Sequence, residues 1–263
     1  MGETKGKSVL ITGASSGIGY ELAKCFAIDG YHLILCARRE EKLVELAQHL
    51  QDSFQAKSSI IVQDLADPSA PAELLRKLEG DGLKVDILVN NAGFGLYGLF
   101  STLDTQEILD MIQVNISSLT HLTKLLLPGM MERGNGKILN VASTAAFQPG
   151  PLMAVYYATK AYVLSFSEAL ANEVEPHGIS VSALCPGPTE TGFEKRANLE
   201  KSKLFQGVNM DAATVARIGY VGLLQGKTII IPGLKNQILA SSVRLAPRKM
   251  LTKVVRRLQE TRK

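Results

Sequence analysis

The stretch Thr12-Gly13-Ala14-Ser15-Ser16-Gly17-Ile18-Gly19 follows the first apolar run of the chain and opens a helical pattern. A glycine-rich turn at a strand–helix junction lets backbone approach a phosphate, and the helix N-terminus offers free N–H groups and a positive dipole end. Gly13 is expected to let the strand turn sharply, Gly17 to admit a pyrophosphate, and Gly19 to let helix and sheet pack. The stretch therefore predicts a dinucleotide site, whose other cradle residues are Ser15, Ser16 and Ile18.

Seven short apolar runs rich in Val, Ile and Leu recur along the chain, and most are continuous, which is typical of strands covered on both faces. They are Val9–Thr12, His32–Cys36, Ser59–Val62, Asp86–Val89, Lys137–Ala142, Ile179–Cys185 and Thr228–Ile231. Helical patterns separate them, at Gly17–Asp29, Glu40–Gln51, Pro71–Leu78, Thr105–Met131, Ala154–Glu175 and Ala212–Gln225. This alternation predicts an α/β fold, a single Rossmann-like domain with a doubly wound, seven-stranded parallel sheet.

The chain is expected to divide into a domain over residues 1–233 and a C-terminal extension over residues 234–263. The domain would include a long irregular segment, Gly187–Asp211, of the kind that often forms a lid over a substrate. Beyond Pro247 the apolar residues repeat as one helix face; they are Met250, Leu251, Val254, Val255 and Leu258, and the same stretch contains seven Lys or Arg residues. Such a helix can dock on its own domain, which we favour, pack on another subunit, or lie on an anionic membrane surface.

Composition and charge narrow the class of protein. The chain has 263 residues, of which 46% are hydrophobic and 21% charged, as in a globular domain. No apolar run approaches the roughly 18 residues that span a bilayer. The extension has nine basic residues and one acidic residue, a charge of +8, so the remainder carries −4, which argues against nucleic-acid binding. The three cysteines lie far apart in apolar patterns, which predicts buried, reduced thiols and a cytoplasmic location.

The second strand ends in Ala37-Arg38-Arg39, which bears on the choice between NAD and NADP. An NAD site needs a carboxylate for the ribose hydroxyls about 20 residues after the glycine turn, and Ala37 stands there instead. A guanidinium binds phosphate in a bidentate fork, so Arg38 and Arg39 fit the 2′-phosphate of NADP(H). The alternative is that both arginines only begin a solvated helix, where they pair with Glu40 and Glu41.

Tyr156 and Lys160 form a Y-x-x-x-K pair on one helix face. A free tyrosine has a pKa of about 10, which makes it a poor acid–base group near neutral pH. An ammonium about 4 Å away in a partly buried site is worth roughly 4 kcal/mol, or about three pK units. Lys160 is therefore expected to bring the phenol of Tyr156 near working pH, where general acid–base transfer is efficient. Tyr157 has Ala161, not a lysine, four residues further on.

Asn115 lies on an apolar helical stripe between Ile112 and Leu119. A buried amide without partners would cost on the order of 1–3 kcal/mol, so its side chain is expected to be hydrogen-bonded. The stripe alone leaves two roles open for Asn115, one functional and one purely structural.

Together these motifs resemble the short-chain dehydrogenase/reductase family. The resemblance rests on T-G-x-x-x-G-x-G, on Asn90-Asn91-Ala92-Gly93 after the fourth strand, on the Tyr156 motif with Ser143 thirteen residues before it, and on Pro186-Gly187 after the sixth strand. It implies that Ser143 and Tyr156 hold the substrate oxygen. It also implies a catalytic set and further cofactor contacts. The catalytic set is Asn115, Ser143, Tyr156 and Lys160, and the contacts are Asp64, Leu65, Asn91, Ala92, Gly93, Pro186, Gly187, Thr189 and Thr191.

The resemblance further implies that Lys160 binds the nicotinamide ribose and that Asn115 holds a water which relays protons. The predicted activity is NADPH-dependent hydride transfer between nicotinamide and an apolar ketone, aldehyde or alcohol. Candidate pocket walls are Phe94, Leu96, Tyr97, Phe147, Leu152, Met153, Phe193 and Phe205. A homodimer or homotetramer is expected, and no metal, because the four histidines lack ligand spacing. The alternatives are a non-catalytic NADP(H)-sensing or scaffold protein of the same fold, and a lipid-associated acyl-type ketoreductase.

Overall fold

A seven-stranded, all-parallel sheet forms the centre of the protein. The computed structural model describes residues 6–193, 209–243 and 247–260. The strands of the sheet are β1 (Ser8–Thr12), β2 (His32–Ala37), β3 (Ser58–Val62), β4 (Ile87–Asn90), β5 (Gly136–Val141), β6 (Ile179–Leu184) and β9 (Ile229–Ile230). Their spatial order is β3-β2-β1-β4-β5-β6-β9, so the chain winds from the centre to one edge and then to the other. The predicted doubly wound parallel sheet is confirmed.

The continuous apolar runs follow from burial of both sheet faces. All five residues of β1 are buried. Because side chains alternate along a strand, Leu10 packs in the core on one face, while Val9 and Ile11 pack in the core on the other. Both positions of the alternation must therefore be apolar, which removes the period-two pattern that a half-exposed strand would show.

Helices cover the two faces of the sheet. They are α1 (Gly17–Ile28), α2 (Glu40–Phe54), α3 (Ala70–Gly80), α4 (Thr105–Ile112), α5 (Leu119–Glu132), α6 (Ala154–Val174), α7 (Ala212–Leu224), α8 (Leu234–Ser242) and α9 (Arg248–Gln259). Buried side chains of α1, α2 and α7 share one core cluster, and those of α3, α5 and α6 share the other. No helix in the described ranges is both long enough and apolar enough to cross a bilayer.

Two local features differ from the sequence expectations. The helix expected over Thr105–Met131 is divided by one π-helical segment, Gln113–Ser118. Helix α8 was not expected, because its sequence has no clear apolar period.

The long segment predicted as a lid is described only at its two ends. There β7 (Thr189–Glu190) pairs with β8 (Met210–Asp211) as a small parallel ladder. Residues 194–208, which include the candidate wall Phe205, lie outside the described residues. The predicted division of the chain into a domain with a substrate loop and an extension therefore stays a prediction.

A chain of buried amides and hydroxyls joins the central strands to the helices behind them. The Asn90 amide donates to Asn140 Oδ1 at 2.9 Å and to Thr123 Oγ1 at 3.1 Å. The Asn140 amide in turn donates to Ser167 Oγ at 2.9 Å. Because all four side chains are buried, each bond replaces one that water would otherwise supply. The network therefore connects β4 and β5 to α5 and α6.

Helix α9 docks on the domain through one of its faces. Val255 belongs to the buried core cluster and Gln259 is fully buried. Own-domain docking was the favoured alternative for this helix. Docking uses only part of its apolar surface, because Met250, Val254 and Leu258 remain exposed.

We expect Ser167→Ala to lower the free energy of unfolding by about 1–3 kcal/mol, because the Asn140 amide would stay buried without its acceptor. Ser182→Ala is the matched control: Ser182 is also fully buried, and its hydroxyl has no hydrogen-bond partner among the described residues. Urea unfolding measures both variants. Equal losses of stability would contradict a stabilising role for the Asn140–Ser167 bond.

Candidate active site

The glycine turn between β1 and α1 has the close backbone approaches of a phosphate cradle. Gly13 and Gly17 have φ angles of +65° and +58°, which residues with a Cβ rarely adopt. A Cβ at Gly13 would lie 2.9 Å from the Ala92 Cα, and a Cβ at Gly19 would collide with the Asn91 side chain. Glycine at these three positions therefore keeps the turn free of side chains beside the N-terminus of α1.

Asn91 and Thr12 hold this turn in place. The Asn91 amide donates to the carbonyl oxygens of Thr12 at 3.0 Å and Gly13 at 3.1 Å. The Thr12 hydroxyl accepts the N–H groups of Asn91 and Ala92, both at 3.0 Å. Four hydrogen bonds thus join the ends of β1 and β4. Thr12 received no role from the motif, although it accepts three of these four bonds, two of them through its hydroxyl.

The two arginines after β2 lie at the edge of the cradle. An Arg39 guanidinium nitrogen donates to Ser15 Oγ at 3.3 Å, which places this cation directly beside the glycine turn. Arg38 lies 3.7 Å from the carboxylate of Asp64, and both side chains of this pair are about half exposed. An exposed pair of this kind contributes about 0–1 kcal/mol to stability, so Arg38 can exchange its partner at little cost.

The other predicted contacts of the cradle have structural partners as well. Asp64 Oδ1 accepts the Ala66 N–H at 3.0 Å and thereby caps a turn. The Leu65 carbonyl oxygen accepts the Ser118 hydroxyl at 2.7 Å. Ser16 is the N-cap of α1 without a side-chain capping bond, and Ile18 packs on the core beneath that helix.

The segment after β6 runs from the reacting groups towards the glycine turn. The Pro186 carbonyl oxygen accepts the Thr144 N–H at 2.8 Å and the Ser143 hydroxyl at 3.4 Å. Further on, a Cβ at Gly17 would lie 2.9 Å from the Thr191 Cβ.

The two other predicted residues of this segment make local contacts. The Thr189 hydroxyl donates to the Gly187 carbonyl oxygen at 2.9 Å. Gly187 itself packs closely under the Asn236 side chain of α8, so it has no room for a Cβ.

Asn115 lies in the π-helical segment, and π-helical turns inside α-helices are frequent at functional sites. Its amide donates to the Phe94 carbonyl oxygen at 2.9 Å and to Thr159 Oγ1 at 3.1 Å, and its oxygen accepts the Phe94 N–H at 3.1 Å. A Cβ at Gly93 would lie 3.0 Å from Asn115 Oδ1 and 3.4 Å from Lys160 Nζ. The Asn115 side chain therefore connects the Phe94 backbone to α6, the helix that carries Lys160. Thr159 is a second partner that the sequence did not suggest.

Ser143, Tyr156 and Lys160 lie together at the carboxyl ends of β5 and β6. Tyr156 and Lys160 are buried on α6, and the Ser143 hydroxyl is close enough to lower the pKa of the Tyr156 phenol in part. Lys160 Nζ donates to the Val141 carbonyl oxygen at 2.8 Å and lies 5.8 Å from the centroid of the Tyr156 ring. The four-residue spacing of Tyr156 and Lys160 therefore places the lysine ammonium next to the tyrosine ring.

Burial moves the pKa values of this pair in opposite directions. It raises the pKa of Tyr156 above its usual value, and the hydrogen bond with Ser143 offsets only part of that increase. It also lowers the pKa of Lys160 to about 8. The expectation that the ammonium brings Tyr156 near neutral pH is therefore wrong for the protein alone, because desolvation of the phenol is the larger effect.

Apolar side chains surround the exposed side of Tyr156. The Phe193 ring centroid lies 5.3 Å from that of Tyr156. A small cavity of about 70 Å³ opens nearby, lined by Leu96, Leu99, Phe100, Leu103, Met111, Leu152 and Met153 among others. Leu152 has a φ of +68°, which is rare for a residue with a branched side chain. Of the candidate walls, Leu96, Leu152 and Met153 line this cavity. Phe94, Tyr97, Phe147 and Phe193 are not part of the lining, and Phe147 packs in a different cluster.

The C-terminal helix α9 reaches this site through one residue. Gln259 Nε2 donates to the Tyr157 hydroxyl at 2.6 Å, and the Tyr97 hydroxyl donates to the Gln259 carbonyl oxygen at 2.8 Å. Gln259 thereby ties the end of α9 to α6 and to the apolar loop after β4. Sequence reasoning missed this contact, because the apolar period of α9 gives no role to a glutamine.

A phosphate cradle, two adjacent cations and a Ser–Tyr–Lys group with a buried tyrosine and lysine define a nucleotide-dependent acid–base site. The sequence profile of the short chain dehydrogenase family matches residues 7–202. A short-chain dehydrogenase from Sphingobium yanoikuyae, solved in complex with NADPH, is 33% identical, with a TM-score of 0.83 over 97% of this chain and 98% of that one. The chain therefore belongs to the short chain dehydrogenase family and is an oxidoreductase of that class.

Two further similarities concern proteins with named activities. A very-long-chain 3-oxoacyl-CoA reductase of Phaeosphaeria nodorum is 40% identical over 185 residues, which are 68% of this chain and 54% of that protein. The chain thus spans little more than half of that relative. The bulky-bulky ketone specific alcohol dehydrogenase of Comamonas testosteroni is 30% identical, with a TM-score of 0.77 over 91% of this chain and 92% of that one. No group of His, Cys, Asp or Glu within the described ranges has the size and geometry of a metal site.

Tyr156→Phe is expected to lower turnover by about 10²- to 10⁴-fold while the protein stays folded, because the proton donor is lost. Tyr157→Phe is the matched control. It should keep turnover but lower the free energy of unfolding by about 1–3 kcal/mol, since the Gln259 amide loses its acceptor. Steady-state kinetics and urea unfolding of both variants test this; a reversed pattern would assign the acid to Tyr157.

The pH dependence of reduction should reflect Lys160. The lysine is charged below its pKa of about 8 and neutral above it, whereas the raised pKa of Tyr156 keeps the phenol protonated. We therefore expect kcat/KM to fall on the alkaline side near pH 8 and not near the ordinary lysine value of about 10.4. In Lys160→Arg the alkaline limb should disappear from the residual activity, because arginine keeps its charge. The same limb in both proteins would assign the titration to another group.

Proposed function

We propose that this protein is an NADPH-dependent carbonyl oxidoreductase acting on apolar ketones or aldehydes and on the corresponding alcohols. The observation that carries the proposal is the group formed by partly buried Ser143 with buried Tyr156 and Lys160, at the carboxyl edge of the sheet and beside a cavity with apolar walls. Ligands of open α/β sheets bind at this edge. The intact acid–base group and the family membership speak against the non-catalytic alternative.

NADP(H) fits the residues of the cradle. The close packing at Gly13 and Gly19 keeps side chains out of the turn. Arg39 reaches Ser15, and Arg38 makes only an exposed pair with Asp64, so both guanidinium groups can turn to a 2′-phosphate. Ala37 at the end of β2 has no carboxylate to bind the ribose diol of NAD. The NADPH bound to the Sphingobium relative supports the same choice.

The protein's own groups would position the carbonyl and supply the proton. The Ser143 and Tyr156 hydroxyls can both donate to a carbonyl oxygen and stabilise its developing negative charge. Tyr156, held protonated by its raised pKa, gives its proton to that oxygen. The bound nicotinamide supplies the hydride. Phe193 and the apolar walls limit access of water to the reacting atoms.

Lys160 and Asn115 have different roles in this scheme. With a pKa of about 8, Lys160 stabilises the phenolate that remains after proton transfer and can return a proton to it. Both N–H groups of the Asn115 amide are already donated, to Phe94 and to Thr159. We therefore assign the Asn115 side chain a positioning role, and the water-holding role that the resemblance implied for this residue stays a prediction.

The apolar lining favours a carbonyl compound with apolar substituents. The name of the fungal relative supports 3-oxoacyl compounds as substrates of this class. The ketone-specific relative supports bulky substituents on the carbonyl carbon. A cytoplasmic location and a homodimer or homotetramer complete the proposal and remain predictions.

Cofactor selectivity tests the arginine assignment. We expect Arg39→Ala and Arg38→Ala each to weaken NADPH binding by about 10-fold or more, because a charge-assisted contact to phosphate contributes roughly 1.5–3 kcal/mol. NADH binding should change little. The matched control is Arg76→Ala, since Arg76 is an exposed arginine outside the cradle. Fluorescence titration with both nucleotides measures the constants, and equal wild-type affinities for NADH and NADPH would reject the assignment.

Turnover tests the activity itself. NADPH oxidation with a panel of bulky apolar ketones and 3-oxoacyl thioesters should exceed that with small polar carbonyls. Tight NADPH binding without turnover of any carbonyl on the panel would overturn the proposal and favour the sensing alternative.

A further inference from the structure

The apolar surface of α9 is wider than the face that docks on the domain. Val255 and Gln259 are buried, and Leu251 is partly buried on the same side. Met250, Val254 and Leu258 follow one another at four-residue intervals along the adjacent side, where they are 53%, 46% and 48% exposed. Side chains at this spacing form one continuous stripe. We call this stripe the outer apolar face of α9.

Cations border the outer apolar face. Lys253 and Arg257 are exposed and lie one residue before Val254 and Leu258 in the chain, which places them along one edge of the stripe. Arg256 is also exposed, and it pairs with Glu260 at 3.1 Å. Glu260 is the single acidic residue of the extension, against nine basic ones, while the rest of the chain is net negative. Within the described residues Lys253 and Arg257 make no ion pair, so an anionic surface would complement this edge of the helix.

Exposed apolar side chains are concentrated in this part of the protein. Among the described residues, fifteen large hydrophobic side chains are exposed, and six of them belong to the extension. Three lie on the outer apolar face, and three lie on α8, where Leu234 is the most exposed at 72%. A contiguous apolar surface with a basic border is typical of a site that binds a membrane surface.

The apolar loop that lines the small cavity is connected to α9. The Tyr97 hydroxyl donates to the Gln259 carbonyl oxygen, and Leu99 and Phe100 of the same loop are exposed while also lining the cavity. A surface that bound α9 would therefore lie near the apolar entrance to the site.

We propose that the outer apolar face of α9, with Lys253 and Arg257, binds an anionic lipid surface while the inner face stays docked on the domain. Intrachain docking and membrane contact are then not alternatives, because they use different sides of one helix. Anionic lipid complements the basic border, and its acyl layer accepts the apolar stripe. A carbonyl compound dissolved in the lipid would then enter the site from this surface. This consequence rests on the proposed function.

The test is co-sedimentation of the full chain with phosphatidylcholine vesicles that contain either no phosphatidylglycerol or 30 mol% of it. Binding should require the anionic lipid and should weaken by about 10-fold or more between 50 and 500 mM NaCl, because surface attraction is screened by salt. Lys253→Glu/Arg257→Glu and Met250→Glu/Val254→Glu should each weaken binding by about 10-fold or more, at roughly 1 kcal/mol per basic charge near the surface.

Ile28→Glu/Val44→Glu is the matched control, since both residues are exposed apolar residues of α1 and α2. This variant should bind vesicles like the wild type. All variants should keep their melting temperature and their turnover of a small, water-soluble ketone. A variant that keeps turnover but loses vesicle binding shows that membrane binding and catalysis are separate properties. If the proposed activity fails, the result of the vesicle experiment still stands.

Three outcomes would overturn the proposal. The first is wild-type protein that stays in the supernatant with anionic vesicles at low salt. The second is equal binding by the wild type and both α9 variants. The third is a Met250→Glu/Val254→Glu variant that lowers the oligomer mass in light scattering without changing vesicle binding, which would assign the outer apolar face to a second copy of the chain.

Discussion

The hydrogen bonds between Asn91 and the glycine turn are the contacts on which the site depends. The turn has to follow an irregular path, with positive φ at Gly13 and Gly17, and such a path has few internal hydrogen bonds. The Asn91 amide supplies partners to the carbonyl groups that the turn leaves free. The same contact places the Asn91–Gly93 segment beside Lys160 and Asn115. Cofactor cradle and acid–base group are therefore positioned by one set of bonds.

The buried amide network of Asn90 and Asn140 extends this connection behind the sheet. It ties β4 and β5 to α5 and α6, and α6 carries both Tyr156 and Lys160. Both hydrogens of the Asn90 amide are donated, whereas Asn90 Oδ1 accepts no hydrogen bond within the described residues. The network is therefore only partly satisfied, but its directed bonds still relate the position of α6 to the ends of the strands.

The sheet and the reacting groups could be predicted because both depend on local patterns. Continuous apolar runs mark strands covered on both faces, and the spacing from Tyr156 to Lys160 marks one helix face. The π-helical segment at Asn115 could not be predicted, since one extra residue in a turn leaves the apolar stripe almost unchanged. Thr159 and Gln259 were missed for a related reason: their partners, Asn115 and Tyr157, are 44 and 102 residues away in the chain. Hydrogen bonds over such distances have no signature in periodicity.

The pKa of Tyr156 depends on more than its distance from Lys160. A cation near a phenol lowers the pKa of the phenol in proportion to their proximity, but burial of the same phenol acts in the other direction. Here the ammonium lies 5.8 Å from the ring centroid and is bonded to a backbone carbonyl, so burial is the larger effect. A phenol held protonated beside a lysine whose pKa is lowered to about 8 is an arrangement suited to giving protons. Reduction of a carbonyl needs a donor, whereas oxidation of an alcohol needs an acceptor. The burial of this pair therefore makes the protonated phenol the starting state of the site for proton donation, and the same group would accept the proton in the reverse reaction.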